Sequence, residues 1–161
     1  MGGTILILVL AISGEPCAAL PAEPPSRLEV ALLDPGIRSG FLRLFAGVEF
    51  GFARFERAAW LLQEPDGPVR FLPWPFLGSY GKAAWPGRMP EGAIAVVHTH
   101  PNDSDPRPST GDAALARRLG LPVLTLSRRS LWVAWPDERT SEIPGTGPFG
   151  WAVAGTSLEH E

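Results

Sequence analysis

Two histidines separated by one residue stand at the end of an apolar segment, Ala93-Ile-Ala-Val-Val-His98-Thr-His100. In a β-strand, side chains at positions i and i+2 point to the same face, so both imidazoles can reach one point. Asp112 follows twelve residues after His100. Two imidazoles and one carboxylate form a three-ligand set that leaves one coordination position open, as catalytic zinc sites do. The sequence therefore predicts a Zn²⁺ site at His98, His100 and Asp112.

The carboxylate of this set has alternatives. Ser109-x-x-Asp112 has the spacing of a helix capping box, with Asp in place of the usual Glu, and it precedes the helical run 113–119. Taken alone, this pair favours capping over chemistry, but its place after a strand that ends in two histidines favours a site. Asp103 and Asp105 lie in the same loop and are alternative ligands. Asp112 is the better-fixed donor because it stands at the start of a helix.

The pattern His98-x-His100-Pro101, followed by Pro108-Ser109-x-x-Asp112, resembles the motif of the JAMM (MPN-type) zinc metallopeptidases. The same motif occurs in RadC-like bacterial proteins that carry a JAB domain. The resemblance covers roughly residues 27–136. It implies an α+β fold, a mixed β-sheet flanked by helices in three layers, with the cytidine-deaminase-like architecture of the JAMM/MPN proteins.

The family pattern also contains an upstream glutamate in Glu-x-x-Gly-Leu-Leu. Glu56 fits that place, 42 residues before His98, although Ala59 stands where the family usually has Gly. A second departure lies in the loop, where eight residues separate His100 from Ser109 in place of the usual seven. These departures leave the ligand identities intact and affect the loop that would contact a substrate.

Three other glutamates compete for the role of Glu56. Glu49 falls in an apolar segment that is spaced like a helix, Glu64 stands in a turn sequence, and Glu91 stands in a loop rich in Pro and Gly. Glu56 begins a strand that can lie beside the strand of His98. We therefore assign the general-base role to Glu56 and keep Glu49 as its alternative.

The resemblance implies a peptidase or isopeptidase that hydrolyses an amide bond. In such an enzyme Glu56 would take a proton from the attacking water and deliver it to the leaving amine, and Ser109 would donate a hydrogen bond to the developing oxyanion. The expected substrate is a peptide or protein, with cell-wall peptides among the candidates. The alternative is a catalytically silent JAMM-like module that binds protein. Such modules usually lack one or more of the His, Ser and Asp residues, and this chain retains all four.

The remaining sequence indicates one domain, because 161 residues with 45% hydrophobic composition suffice for a single core. Strand and helix patterns alternate without a regular βαβ repeat, which favours α+β or a three-layer α/β sheet over a doubly wound fold. The patterns predict helices over about 37–54 and 110–119 and strands over 56–63, 68–73, 93–99, 122–127 and 130–135, the last two as a hairpin.

The N-terminal and C-terminal segments of the chain carry their own predictions. The apolar run 4–13 is too short to span a bilayer comfortably and a small-residue stretch follows it, so we expect residues 1–22 to be a signal peptide, although no Lys or Arg precedes the run. A periplasmic or secreted domain over 23–136, without a membrane span, and a loosely packed tail over 137–161 would remain. The alternative is a misassigned start or a buried first strand in a cytoplasmic protein.

Composition limits the partners. A net charge of −3 and a pI near 5.6 argue against general nucleic-acid binding, and the single cysteine, Cys17, excludes a disulfide framework. Most of the six tryptophans are expected in the core. The alternative for Trp74 and Trp85 is that they wall a substrate groove.

Overall fold

A mixed β-sheet forms the centre of the molecule. The computed structural model describes residues 27–65, 67–76 and 83–143. Within these residues the strands are β1 (Ala58–Gln63), β2 (Val69–Pro73), β3 (Ala93–Thr99), β4 (Val123–Leu126), β5 (Leu131–Ala134) and β6 (Thr140–Glu142). The helices are α1 (Arg27–Leu33), α2 (Pro35–Ala46) and α3 (Thr110–Leu119), and a short 3₁₀ turn covers Glu49–Gly51.

The strand order across the sheet is β2-β1-β3-β4-β5-β6. Only β3 and β4 run parallel, and the other neighbouring pairs are antiparallel. Parallel neighbours need a crossover connection, and α3 lies in the segment that joins β3 to β4. The predicted hairpin of β4 and β5 is confirmed by their antiparallel register.

Side chains alternate between the two faces of the sheet, as strand geometry requires. On β3, Ala95 and Val97 belong to the core cluster that contains α1 and α2, whereas Val96 belongs to the cluster that contains Ala116 of α3. Helices therefore cover both faces, with α1 and α2 on one side and α3 on the other. The predicted α+β fold, a mixed sheet between helical layers, is confirmed.

The predicted helix over 37–54 is wrong in its second half. The N-cap Asp34 accepts hydrogen bonds from the backbone N–H groups of Gly36 and Ile37, at 2.7 and 3.2 Å, and α2 then ends at Ala46. Beyond it, residues 49–51 adopt positive φ angles of 52°, 54° and 84°. Left-handed backbone cannot continue a right-handed helix, so the apolar spacing of this segment does not reflect helix.

The structure changes the bounds of several predicted elements. Strand β1 begins at Ala58 and not at residue 56, so Glu56 precedes the strand. Helix α1 was not expected, and β6 pairs with β5 and extends the sheet beyond residue 136.

The expected signal peptide over 1–22 and the tail from residue 144 onwards lie outside the described residues. In the described part of the chain, none of the helices has the length and apolar character needed to cross a membrane.

Candidate metal centre

His98 and His100 lie at the end of β3, where the strand leaves the sheet. Both side chains are buried, with exposed fractions of 6% and 7%, and their ring centroids are 4.9 Å apart. Because they follow Val96 in steps of two, they share the face of the sheet that α3 covers. Thr99 points the other way and accepts a hydrogen bond from the backbone N–H of Arg57, at 3.0 Å.

Asp112, in the first turn of α3, completes the cluster. His98 Nε2 lies 3.3 Å from Asp112 Oδ1, and His100 Nε2 lies 3.8 Å from Asp112 Oδ2. One donor atom from each of the three residues can be chosen so that all lie within 4.8 Å of one another. Ligands about 2.0–2.2 Å from a tetrahedrally coordinated zinc are roughly 3–4 Å apart, which is close to this spacing. These three side chains could therefore hold a metal ion.

The alternative ligand Asp105 is placed differently. Its carboxylate accepts hydrogen bonds from the Arg107 guanidinium, at 2.7–3.2 Å, and does not belong to the cluster of possible ligands. Its backbone carbonyl lies 2.8 Å from Nδ1 of His100. A carbonyl can only accept, so His100 carries its hydrogen on Nδ1 and leaves the Nε2 lone pair for a metal. Asp103 is likewise outside the cluster of possible ligands.

The charge states of the three side chains suit a cation. Burial lowers the pKa of His98 to about 4, so this imidazole is neutral at neutral pH and can donate a lone pair. Burial would raise the pKa of Asp112, but the nearby His100 and His98 imidazoles and the hydrogen bonds from Ser109 hold it well below its usual range. Burial likewise opposes the charged form of His100, but the nearby Asp112 carboxylate and the hydrogen bond to the Asp105 carbonyl raise its pKa. A metal ion would replace the proton that Asp112 attracts to His100.

Ser109 forms the capping box that its spacing predicts. Its hydroxyl accepts from the backbone N–H of Asp112, at 3.2 Å, and its own backbone N–H donates to Asp112 Oδ2, at 2.6 Å. The hydroxyl hydrogen is donated to the same Oδ2, at 2.7 Å. Capping and the metal cluster therefore coexist, because the cap fixes Asp112 while Oδ1 faces His98.

The Ser109→Ala variant tests this bond. We expect it to lower zinc affinity by about tenfold, since groups that orient a ligand have effects of roughly 10–100-fold, and to cost about 1 kcal/mol of unfolding free energy through the lost cap. Competition with a chromogenic chelator and urea unfolding measure the two effects. Ser104→Ala, in the same loop and lining the same cavity, is the matched control. Equal zinc affinity in wild type and Ser109→Ala would show that the hydroxyl does not position Asp112.

A cavity of about 520 Å³ opens over the cluster, and Glu56 lines it together with His98, His100 and Asp112. Glu56 is half-buried, and its negative charge contributes to the raised pKa of His100. The backbone beside it is fixed, since Thr99 N–H donates to the carbonyl of Arg57 at 2.9 Å. The alternative Glu49 is exposed and does not line this cavity.

The other two glutamates lie elsewhere. Glu64 and Glu91 border a separate cavity that also contains Gln63, the last residue of β1, whereas Glu56 precedes the first residue of that strand. Glu64 is also in an ion pair with Arg70, at 2.9 Å. Neither lines the cavity over His98.

Sequence reasoning missed one residue of this cavity and one contact of the segment that follows His100. Arg118 of α3 lines it, and no motif marks that residue. Asn102 donates from its side chain to the Phe50 carbonyl, at 3.0 Å, and from its backbone to the Gly51 carbonyl, at 2.8 Å. These bonds tie the segment after His100 to the left-handed turn, and they join residues about fifty positions apart, which no local pattern reveals.

Comparison with known proteins found similarity to solved structures but none to family models or curated sequences. No family model matches the sequence, and no curated protein matches it. The structure is similar to the crystal structure of a JAB1/MPN domain protein from Archaeoglobus fulgidus, with a TM-score of 0.46 and 20% sequence identity, over 66% of this chain and 93% of that chain.

Proposed function

We propose that this chain is a zinc-dependent hydrolase of the JAMM type, from the RadC-like bacterial branch, that cleaves an amide bond in a peptide or protein. One observation carries the proposal. The donor atoms of His98, His100 and Asp112 gather within 4.8 Å, and Glu56 lines the same cavity without belonging to that cluster. This is the division between ligands and general base that the motif implies.

The ligand set favours zinc. Two imidazoles and one carboxylate suit Zn²⁺ better than Ca²⁺ or Mg²⁺, which prefer oxygen ligands alone. The Asp105 carbonyl would hold the His100 ring in place through Nδ1, as such partners commonly do for histidine ligands. Zinc bound there would supply Lewis acidity, lowering the pKa of a water toward about 7 and polarising the substrate carbonyl.

Glu56 is the proposed general base. Its carboxylate would accept the proton of the attacking water and then donate it to the amine that leaves. The half-buried position reduces contact with bulk solvent on one side and leaves the cavity side accessible to a substrate. A group that moves protons should not ligate the metal, and the position of Glu56 outside the donor cluster meets this requirement.

Ser109 is proposed to act in two ways. In the structure its hydroxyl hydrogen is donated to Asp112, which fixes the carboxylate. To stabilise an oxyanion, the hydroxyl must turn from Asp112 toward the substrate oxygen. The backbone N–H of Ser109 keeps its own bond to Oδ2 during that rotation, so Asp112 retains one of its two bonds from Ser109.

The proposal is tested by zinc content and cleavage measured on the same preparation. Plasma mass spectrometry should find close to one zinc per chain, and a peptide library analysed by mass spectrometry should show new amino termini that disappear with chelator. A chain that binds no zinc would contradict the proposal. A fully zinc-loaded chain that cleaves no peptide or isopeptide would indicate the silent protein-binding module.

Export is a separate proposal, which rests on the apolar run and small-residue stretch of residues 1–22. Expressed with its native N-terminus in a bacterium, the chain should appear in the periplasmic or secreted fraction, shortened by about 19–22 residues. Intact-mass spectrometry of each fraction measures this. A full-length chain that stays in the cytoplasm would contradict export and leave the metal site unaffected.

A further inference from the structure

A groove lined by aromatic side chains adjoins the metal cavity. Trp60, Trp74 and Trp85 form a cluster with ring centroids 5.3–5.9 Å apart. They border a groove of about 360 Å³, and Leu115 and Leu119 of α3 also line it. This volume is at the lower end for ligand pockets and suits one large side chain.

The groove is continuous with the metal cavity. Four residues line both spaces, namely Trp74, Ala83, Leu115 and Arg118. Leu115 also stands one helical turn after Asp112, on the side of α3 that faces the sheet. A side chain that lies in the groove against the indoles can therefore be attached to a backbone that continues toward His98, His100 and Asp112.

Only one of the three indole N–H groups has a hydrogen-bond partner among the described residues. Trp85 Nε1 donates to the Arg88 carbonyl at 2.8 Å, but the buried Nε1 atoms of Trp60 and Trp74 have no hydrogen-bond partner among the described residues. Buried donors in folded proteins nearly always have a partner. These two N–H groups are buried, so what the tryptophans offer the groove is mainly apolar ring surface.

The charges where the groove meets the metal cavity limit the chemical class of the ligand. Arg118 is exposed and, in the described part of the chain, forms none of the observed ion pairs. Its neighbour Arg117 is paired with Glu138 and lines neither space. Arg107, the other cation of the metal cavity, is paired with Asp105. Among the described residues that line the two spaces, Arg118 is thus the arginine available to bind an anionic group where the groove meets the cavity.

We propose, on the basis of the proposed amide hydrolysis, that this groove binds the large apolar side chain of a C-terminal substrate residue and that Arg118 binds its α-carboxylate. The three substituents of that residue then match three parts of the site. The side chain lies in the groove against the tryptophans, the carboxylate lies at Arg118, and the amide nitrogen is directed toward the metal cavity. Hydrolysis there would break the carbon–nitrogen bond, add the water oxygen to the acyl carbon and release the apolar amino acid, with Glu56 returning the proton to its nitrogen.

Binding of small uncleavable probes tests this proposal without requiring turnover. The probes are 3-phenylpropanoate, which carries both a ring and a carboxylate, 3-phenylpropan-1-ol, which lacks the charge, and propanoate, which lacks the ring. Calorimetric titration of the zinc-loaded full chain should show 3-phenylpropanoate binding about tenfold tighter than the alcohol and roughly 10–100-fold tighter than propanoate. Coordination of a carboxylate by zinc alone would not distinguish the two acids.

Two variants and a control separate the contributions. Arg118→Ala should weaken 3-phenylpropanoate about tenfold and leave the alcohol unchanged, whereas Arg117→Ala should change neither. Ala84→Phe, at an exposed position that lines only the groove, should weaken both ring-containing probes. Equal binding of the three probes, or no effect of Arg118→Ala on 3-phenylpropanoate, would overturn the subsite. Zinc content is measured independently, so failure of the subsite and failure of the metal centre give different results.

Discussion

His98→Ala is expected to abolish stoichiometric zinc binding and all amide hydrolysis together. The variant removes a buried, neutral imidazole and leaves one imidazole and one carboxylate, which hold zinc poorly. The loss of affinity should exceed the roughly 10–100-fold caused by removing a group that only orients a ligand. Zinc content after dialysis against a weak chelator measures it. The zinc-dependent rise in melting temperature expected for wild type should also disappear, because a ligand stabilises only the state that binds it.

Asp105→Ala is the matched control for that experiment. It removes a carboxylate from the same loop and cavity, but the backbone carbonyl that accepts from His100 remains. Zinc content should stay near that of wild type. If Asp105→Ala lost zinc and Asp112→Ala kept it, the ligand set inferred from the structure would be wrong and the loop carboxylate would be the third ligand.

The strand that carries the histidines was predictable because its information is local. Period-two alternation assigns Val96, His98 and His100 to one face whatever lies beyond the strand. The bounds of β3 match the predicted 93–99, and α3 matches the predicted 110–119 between its Ser109 cap and Gly120. Where the local pattern agrees with the tertiary environment, the sequence alone predicts the bounds of the element.

The segment before β1 was less predictable because its conformation depends on distant bonds. The large apolar residues after Ala46 continue the helical spacing, but the left-handed turn that holds Gly51 is bonded to Asn102. A Cβ atom at Gly51 would lie 2.6 Å from the Asn102 side chain, so the turn and the loop after His100 fit closely. Contacts between segments so far apart in the chain produce no periodic residue pattern in the sequence of either segment.

Glu56 illustrates the same division between local and distant information. Its identity was inferred from the Glu-x-x-Ala-x-Leu-Leu spacing, but the strand that it was expected to begin starts two residues later. What positions it is the pairing of Arg57 with Thr99 across to β3, through backbone and hydroxyl bonds of 2.9 and 3.0 Å. Thr99 stands between the two histidines, so the same short segment fixes the two imidazoles and the segment that carries Glu56.

Glu56→Gln is expected to retain near-stoichiometric zinc and a normal fold but to lose turnover by about 10²-fold or more. The amide keeps the size and hydrogen-bonding capacity of the carboxylate but cannot accept the proton of the attacking water at neutral pH, and general-base catalysis typically contributes 10²–10⁴-fold. Because Glu56 lies outside the donor cluster, the metal should remain. Zinc analysis and steady-state kinetics on the same sample separate this result from that of His98→Ala, in which metal and activity are lost together.

Glu49→Gln is the control, since this glutamate is exposed and does not line the metal cavity. It should leave both zinc content and turnover unchanged. Near wild-type turnover in Glu56→Gln, accompanied by a large loss in Glu49→Gln, would transfer the base role to Glu49 and require the left-handed turn to move toward the cavity. A loss of zinc in Glu56→Gln would instead make Glu56 a ligand. Only retention of metal with loss of turnover assigns proton transfer to Glu56 and separates a hydrolase from a module that merely binds zinc.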